Sequence, residues 1–207
     1  MQTDYFTTKM QAQSPNLKLI LASSSPYRKI QLKQLQLEFR VQSPNIDETP
    51  MDSESPEQLV VRLARQKARA VADIHPAAVV IGSDQLAVFK GRVIGKPGTE
   101  ENAVRQLQQF SGSSVQFLTA VRIFCNDSGF DAGSVVVTDV HFRILTEEEI
   151  RRYVEMDQPM DCAGGFKSEA AGSTLLKSMR SDDPSAIIGL PLITVSRLLR
   201  EAGFSLP

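Results

Sequence analysis

Tryptophan is absent from this 207-residue chain, and only two cysteines and two histidines are present. These scarcities remove several chemistries before any motif is considered. Cys125 and Cys162 stand apart, with no CxxC and no histidine at metal-ligand spacing, so zinc fails on ligand count. The expectation is a reduced intracellular chain with two small core thiols, a single bridge between them being the alternative. A Ser–His–Asp triad would have to use His75 or His141. His75 precedes Pro76 in an expected loop, and His141 alternates with Asp139 and Arg143 on the polar side of a strand. No apolar run approaches the ~20 residues that span a bilayer, and residues 1–16 lack the apolar segment of a signal peptide. Charge of neither sign dominates: the net charge is -1, which argues against stable nucleic-acid binding on a general basic surface. Neither GxxxxGK[ST] nor GxGxxG occurs, and Gly164-Gly165 is too short for either. A cytoplasmic protein without membrane attachment is expected.

What is present is the composition of an ordinary globular protein, 42% hydrophobic and 23% charged, long enough for one good core. Residues 1–16 read as a disordered extension and 17–207 as a single domain. The apolar run 18–22 predicts a buried strand. Ser25 as N-cap and Pro26 at the first helical position predict a helix through 36. A strand over 37–42 and a proline-punctuated loop over 43–56 follow. Residues 56–72 carry a helical stripe of Leu59, Val60, Leu63, Ala64 and Val71. A strand over 78–82, a second arm over 86–89 and a turn at Lys90-Gly91 come next. Thr99 caps a helix to about 110. Strands over 115–125 and 134–145 flank the hairpin signature Asn126-Asp127-Ser128-Gly129. Thr146 and Glu149 form a capping box, and a last helix over 191–202 stops at Gly203. Early alternation with a long strand pair in the middle gives an α/β fold with a mixed sheet.

The informative residues are polar ones where packing favours apolar side chains. Lys67 lies on the inward stripe of its helix, where a lysine is rarely buried without a partner. Either its stem lies on the core edge with the ammonium in water, or it faces a phosphate or carboxylate in a cleft. Asp84 follows the run Val79-Val80-Ile81, and ligands in open α/β folds gather at the carboxyl ends of strands. It is a candidate metal ligand or general base, with a turn aspartate as the bland alternative. Ser23-Ser24-Ser25-Pro26-Tyr27-Arg28 sets hydroxyls, free N–H groups and a guanidinium at a helix N-terminus, which suits an anion. Asp47-Glu48 and Gly95-Lys96-Pro97 are weak signals singly. Together these residues supply hard oxygen ligands for a divalent cation, and cations and hydroxyls for phosphates, the inventory of phosphoryl chemistry.

The order of these pieces resembles the Maf family of nucleotide pyrophosphatases. The matching segments are LILASSSPYR at 19–28, IDETP at 46–50, LARQKA at 63–68, IGSDQ at 81–85 and IGKP at 94–97. DVHFRIL at 139–145, CAGGFKSEAAG at 162–172 and SAIIGLP at 185–191 continue the series. The resemblance implies a Maf/ITPase-like α/β fold, a long mixed twisted sheet with two lobes around a central nucleotide-binding cleft. It implies a homodimer that uses a divalent cation, Mg²⁺ or Mn²⁺, to cut a nucleoside triphosphate into a monophosphate and diphosphate. Asp84 would activate water and, with Glu48, hold the metal; Ser23, Arg28, Lys67 and Lys96 would cradle the phosphates.

Tyr27, Gln85 and Glu169 look like the branch of the family that cleaves 7-methyl-GTP. Methylation at N7 makes the base cationic, which favours an aromatic face and a nearby carboxylate. Tyr27 would supply the face, and Glu169 would accept from the guanine N1–H and amine. That branch carries tryptophan at the position of Tyr27, so the resemblance departs there. Cleavage of dTTP or UTP is the alternative within the family, and a nucleotide-sensing regulator of septum formation without catalysis is the alternative outside enzymology.

Overall fold

The structure is a computed structural model, and it describes residues 17–207; the expected extension at 1–16 lies outside the described residues. Seven strands form one mixed sheet: β1 (Lys18–Ala22), β2 (Arg40–Gln42), β3 (Ala78–Phe89), β4 (Arg92–Ile94), β5 (Ser114–Cys125), β6 (Phe130–Phe142) and β7 (Leu176–Ser181). The sheet order is β2-β1-β3-β5-β6-β7, with β4 also on β3. β1 is parallel to β2 and β3, and the remaining pairs are antiparallel. Five α-helices accompany it: α1 (Pro26–Lys33), α2 (Pro56–Ala72), α3 (Glu100–Phe110), α4 (Glu147–Asp157) and α5 (Leu192–Glu201). No helix among the described residues is long and apolar enough to cross a membrane.

The helices begin where local chemistry says they should. Ser55 and Gln58 close a capping box on α2, and Thr146 and Glu149 do the same on α4, satisfying N–H groups that a helix start otherwise leaves unpaired. α2 lays its apolar stripe on one face of the sheet. Val60 and Ala64 pack with Val88, Leu118 and Ala120, while Ala68, Val71 and Ala72 pack with Ile20, Ala22 and Val80.

The opposite face carries two separate cores. One joins Leu19, Leu21, Val79 and Ile81 to Leu32 of α1 and to Val195, Leu198 and Leu199 of α5. The other joins Ala87, Phe89, Phe117 and Phe142 to Leu107 and Phe110 of α3 and Ile150 and Tyr153 of α4. Between them runs a polar seam. Thr119 donates its hydroxyl to the Ala186 carbonyl at 3.0 Å, and Ser83 and Gln85 reach the same 3₁₀ segment, Pro184–Ile188, and its neighbour Gly189. Buried Asp183 anchors that segment by accepting from Ser185 and from the Thr194 N–H of α5. The two lobes are these two cores on one continuous sheet.

Several boundaries differ from expectation. β3 is one 12-residue strand, not a short strand and a second arm. Its register against β5 is unbroken from Val80 to Val88, which carries the backbone straight through Gly82-Ser83-Asp84. Asp84 therefore sits inside a strand and not at its carboxyl end. α1 ends at Lys33, and Leu37 and Phe39 pack against the first core ahead of a β2 of three residues. β7 is a strand that the sequence pattern does not predict: LKSMRS is a largely exposed edge, with no apolar alternation to announce it.

Candidate active site

The site arises from a change of partner along one edge of β3. β1 runs beside β3 only as far as Ala22 opposite Gly82, and β4 pairs with it only from Ala87 onward. Residues 83–86 are left without a strand on that edge, and the chain leaving β1 turns there into the N-terminus of α1. A cleft of about 580 Å³ opens at this gap, lined among others by Ser24, Arg28, Glu48, Lys67, Asp84 and Lys96.

At its floor is a buried charge cluster. The Lys67 ammonium lies 2.5 Å from Asp84 Oδ1 and 2.8 Å from Glu48 Oε1. Lys67 and Asp84 side chains are each 9% exposed, whereas Glu48 is 58% exposed on the loop before α2. The missing side chain of Gly82 explains how close α2 comes. A Cβ on Gly82 would lie 2.3 Å from the Ala64 carbonyl oxygen and 2.5 Å from the Ala68 nitrogen, so only glycine lets the helix backbone rest on the strand. Asp84 is the next residue on the same face of β3, and Lys67, beside Ala68, meets it. The inward-facing Lys67 has its partner.

Arg28 approaches from α1, its Nε donating to the Gly189 carbonyl at 2.8 Å. Ser83 Oγ lies 2.9 Å from the same carbonyl, and Gly189 has φ +121°, outside the range of L side chains. Burial pulls the Arg28 pKa down, opposed by the charges of Asp84 and Glu48. Lys96 enters from the segment after β4. Ser23 is placed differently from its neighbours: it is buried, its Oγ accepts the Ser25 N–H at 3.1 Å, and it shapes the turn from beneath. Ser24 and Ser25 line the cleft in its place, and Ser25 caps α1 by accepting the Arg28 N–H.

A smaller compartment of about 100 Å³ continues from the cleft, sharing Tyr27, Gln85 and Lys96 and adding Phe166 and Glu169. The three residues expected to read a base thus border one space, in different states. Tyr27 has its hydroxyl 3.5 Å from Asp161 Oδ2 and Lys167 Nζ 5.8 Å from its ring centroid; burial raises its pKa. Lys167 is fastened to the Asp157 carbonyl at 2.8 Å, at the C-terminus of α4. Gln85 commits its amide nitrogen to Thr119 Oγ1 and the Ala186 and Ile187 carbonyls, at 2.9–3.1 Å, so its N–H groups hold the polar seam. Glu169 is exposed at the rim.

Sequence reasoning missed Asp161, which lines both compartments, and Phe166, whose ring packs tilted against Phe117 and edge-on against Phe142 at centroid distances of 6.1 and 5.7 Å. Their only signal was a place at or next to the CAGGF segment. Cys162 beside them is no nucleophile: burial and Asp161 push its thiol up to about 12, so it is protonated at neutral pH.

Among the described residues no three His, Cys, Asp or Glu side chains are grouped to hold a metal ion. Two carboxylates do converge on one cation, and two hard oxygens are a fitting protein share for a small divalent ion whose other ligands are water and phosphate.

A mixed sheet with a carboxylate–ammonium cluster at a gap in its central strand, faced by Arg28 and Lys96, defines an α/β protein with a charged cleft. This chain belongs to the Maf family: the family model described as Maf-like protein matches residues 18–202. A 7-methyl-GTP pyrophosphatase of Polaromonas sp. is 51% identical over 188 residues, 91% of this chain and 86% of the relative. One of Aromatoleum aromaticum is 50% identical over 190 residues, 92% of this chain and 98% of the relative. Among solved structures, the Staphylococcus aureus Ham1 protein aligns with 60% of this chain and 71% of its own at TM-score 0.44 and 16% identity.

Proposed function

We propose that this chain is a nucleoside triphosphate pyrophosphatase that hydrolyses 7-methyl-GTP to 7-methyl-GMP and diphosphate. The observation that carries the reading is the Glu48–Lys67–Asp84 cluster at the floor of the cleft, in a chain half identical to relatives named for that activity. The triphosphate lies across the gap in β3. Asp84 accepts a proton from a water that attacks the α-phosphorus, and the bond from that phosphorus to the bridging oxygen breaks. Arg28, Lys67 and Lys96 meet the charge on the departing diphosphate, the positioning and neutralisation on which phosphoryl transfer depends. Glu48 and Asp84 are the residues that would hold a divalent cation, Mg²⁺ or Mn²⁺, which when bound neutralises phosphate oxygens and acidifies water. The smaller compartment receives the base. Tyr27 offers it a ring face, and Glu169 and Asp161 offer carboxylates to a cationic purine. A homodimer, a cytoplasmic location and a single domain over 17–207 belong to the same proposal and rest on the family alone.

Diphosphate release from 7-methyl-GTP, GTP, dTTP and UTP with Mg²⁺ or Mn²⁺ tests the reading. A preference for 7-methyl-GTP is expected. Preference for dTTP or UTP would keep the chemistry and discard the base assignment, and no release from any of the four would discard both.

A further inference from the structure

The cluster that is read as catalytic already contains a cation. Lys67 Nζ stands within 2.8 Å of oxygens on both carboxylates that would hold a metal, and the side chain is 9% exposed. A divalent ion touching those oxygens would take them at about 2.1 Å and would share them with a buried ammonium at contact distance. Like charges at such range in a poorly solvated site repel strongly. Arg28 adds to this, because it lines the same cleft as Asp84 and Glu48, whose charges act on its guanidinium. Within the cluster, Glu48 and Asp84 thus face Lys67 and Arg28, two charges of each sign.

From this arrangement we infer that Lys67 is a built-in counter-ion that holds the metal position, so that the site admits a divalent cation only together with the triphosphate. The inference rests on the phosphoryl-transfer reading above and adds an order to it. A bare divalent ion would leave the cluster with two uncompensated positive charges. A metal–triphosphate complex brings its own negative charge, and it also offers the displaced ammonium a new partner. Lysine is suited to the exchange: its point charge rides on a flexible four-carbon stem, so Nζ can swing to a phosphate oxygen while α2 stays in place. Until then the ammonium keeps two carboxylates, one on β3 and one on the loop before α2, from repelling each other. Lys67 is in this respect a positioning residue for the metal as well as a contact for the phosphates.

Manganese binding without nucleotide, followed by the loss of the free Mn²⁺ paramagnetic resonance signal, reads this directly. Wild-type protein is expected to bind Mn²⁺ alone at least tenfold more weakly than Lys67→Met. Addition of a triphosphate with a methylene bridge between its α- and β-phosphorus atoms is expected to tighten Mn²⁺ in the wild type and to do so far less in Lys67→Met. Lys67→Arg, which keeps the charge, is expected to behave as the wild type. Should Lys67→Met not fold, the ζ-ammonium resonance of wild-type Lys67 gives the same information. It is expected to be unmoved by millimolar Mg²⁺ alone and to shift when the methylene analogue is added with it. Equal Mn²⁺ affinity in wild type and Lys67→Met, or displacement of the ammonium by Mg²⁺ alone, overturns the inference while leaving the catalytic reading standing. Failure of either protein to bind Mn²⁺ even with the analogue overturns both.

Discussion

The two ends of the cleft are built in different ways. The end proposed to hold the phosphates stands on β3 and α2, elements locked together by the close approach at Gly82, and its central pair is buried. The end proposed to hold the base takes Asp161, Phe166 and Glu169 from the irregular stretch between α4 and β7, three short 3₁₀ segments anchored to the second core through Phe166 and Tyr153. Its carboxylates, Asp161 and Glu169, are exposed. Chemistry that needs fixed distances sits on regular backbone, and recognition sits where side chains change at small cost to the fold. The phosphate end should therefore tolerate substitution badly in rate or stability, and the base end should respond mainly in selectivity.

The sharpest way to break that contrast is at Asp84. Asp84→Asn removes the proton acceptor with almost no change in volume, and turnover is expected to fall by roughly three orders of magnitude on every triphosphate alike. Steady-state diphosphate release, with a thermal melt to confirm folding, decides it; turnover within tenfold of wild type would remove Asp84 as the base. Gly82→Ala comes next. Its Cβ would meet the α2 backbone at 2.3 Å, and backbone does not yield as a flexible side chain does, so a stability loss of about 2–3 kcal/mol is expected. Urea unfolding measures it, and an unchanged midpoint would show that α2 is not held by that contact. Glu169→Gln is the smallest. A charge-assisted hydrogen bond to the base would be lost, and kcat/KM on 7-methyl-GTP is expected to fall roughly tenfold with little change on dTTP or stability. Equal losses on both substrates would assign Glu169 to something other than reading the base.

Much of the phosphate end was legible. Lys67 stood out because helical period placed it among Val60, Leu63 and Ala64, where a lone cation needs a partner, and the Thr146–Glu149 capping box marked where α4 begins. The partner itself was less legible. Asp84 attracted notice as a carboxylate after an apolar run, but its position was assigned to a strand end, because a Gly-Ser-Asp sequence looks locally like a turn. Pairing with β5, more than thirty residues away, overrides that local preference. Ser23 looked as available as Ser24 and Ser25, and only the turn geometry separates buried Ser23 from exposed Ser24 and half-buried Ser25. At the base end, Asp161 ends one 3₁₀ segment and Phe166 directly follows another, segments too short for any hydrophobic period to be read, and β7 is an exposed edge that lacks the alternation of a half-buried strand.

By itself the sequence determined the elements with a strong period or a local cap, the class of fold, and the set of charged side chains that an anionic substrate would need. Those are matters of nearest neighbours along the chain, where spacing and propensity carry the information. Tertiary structure decided where along β3 its edge is bare, that Lys67 lies between Glu48 and Asp84, and that Tyr27, Asp161 and Glu169 border one compartment. Each depends on which strand, helix or loop packs against which, and contacts at separations from 17 residues (Lys67–Asp84) to 134 (Tyr27–Asp161) leave no periodic trace in the residues that make them.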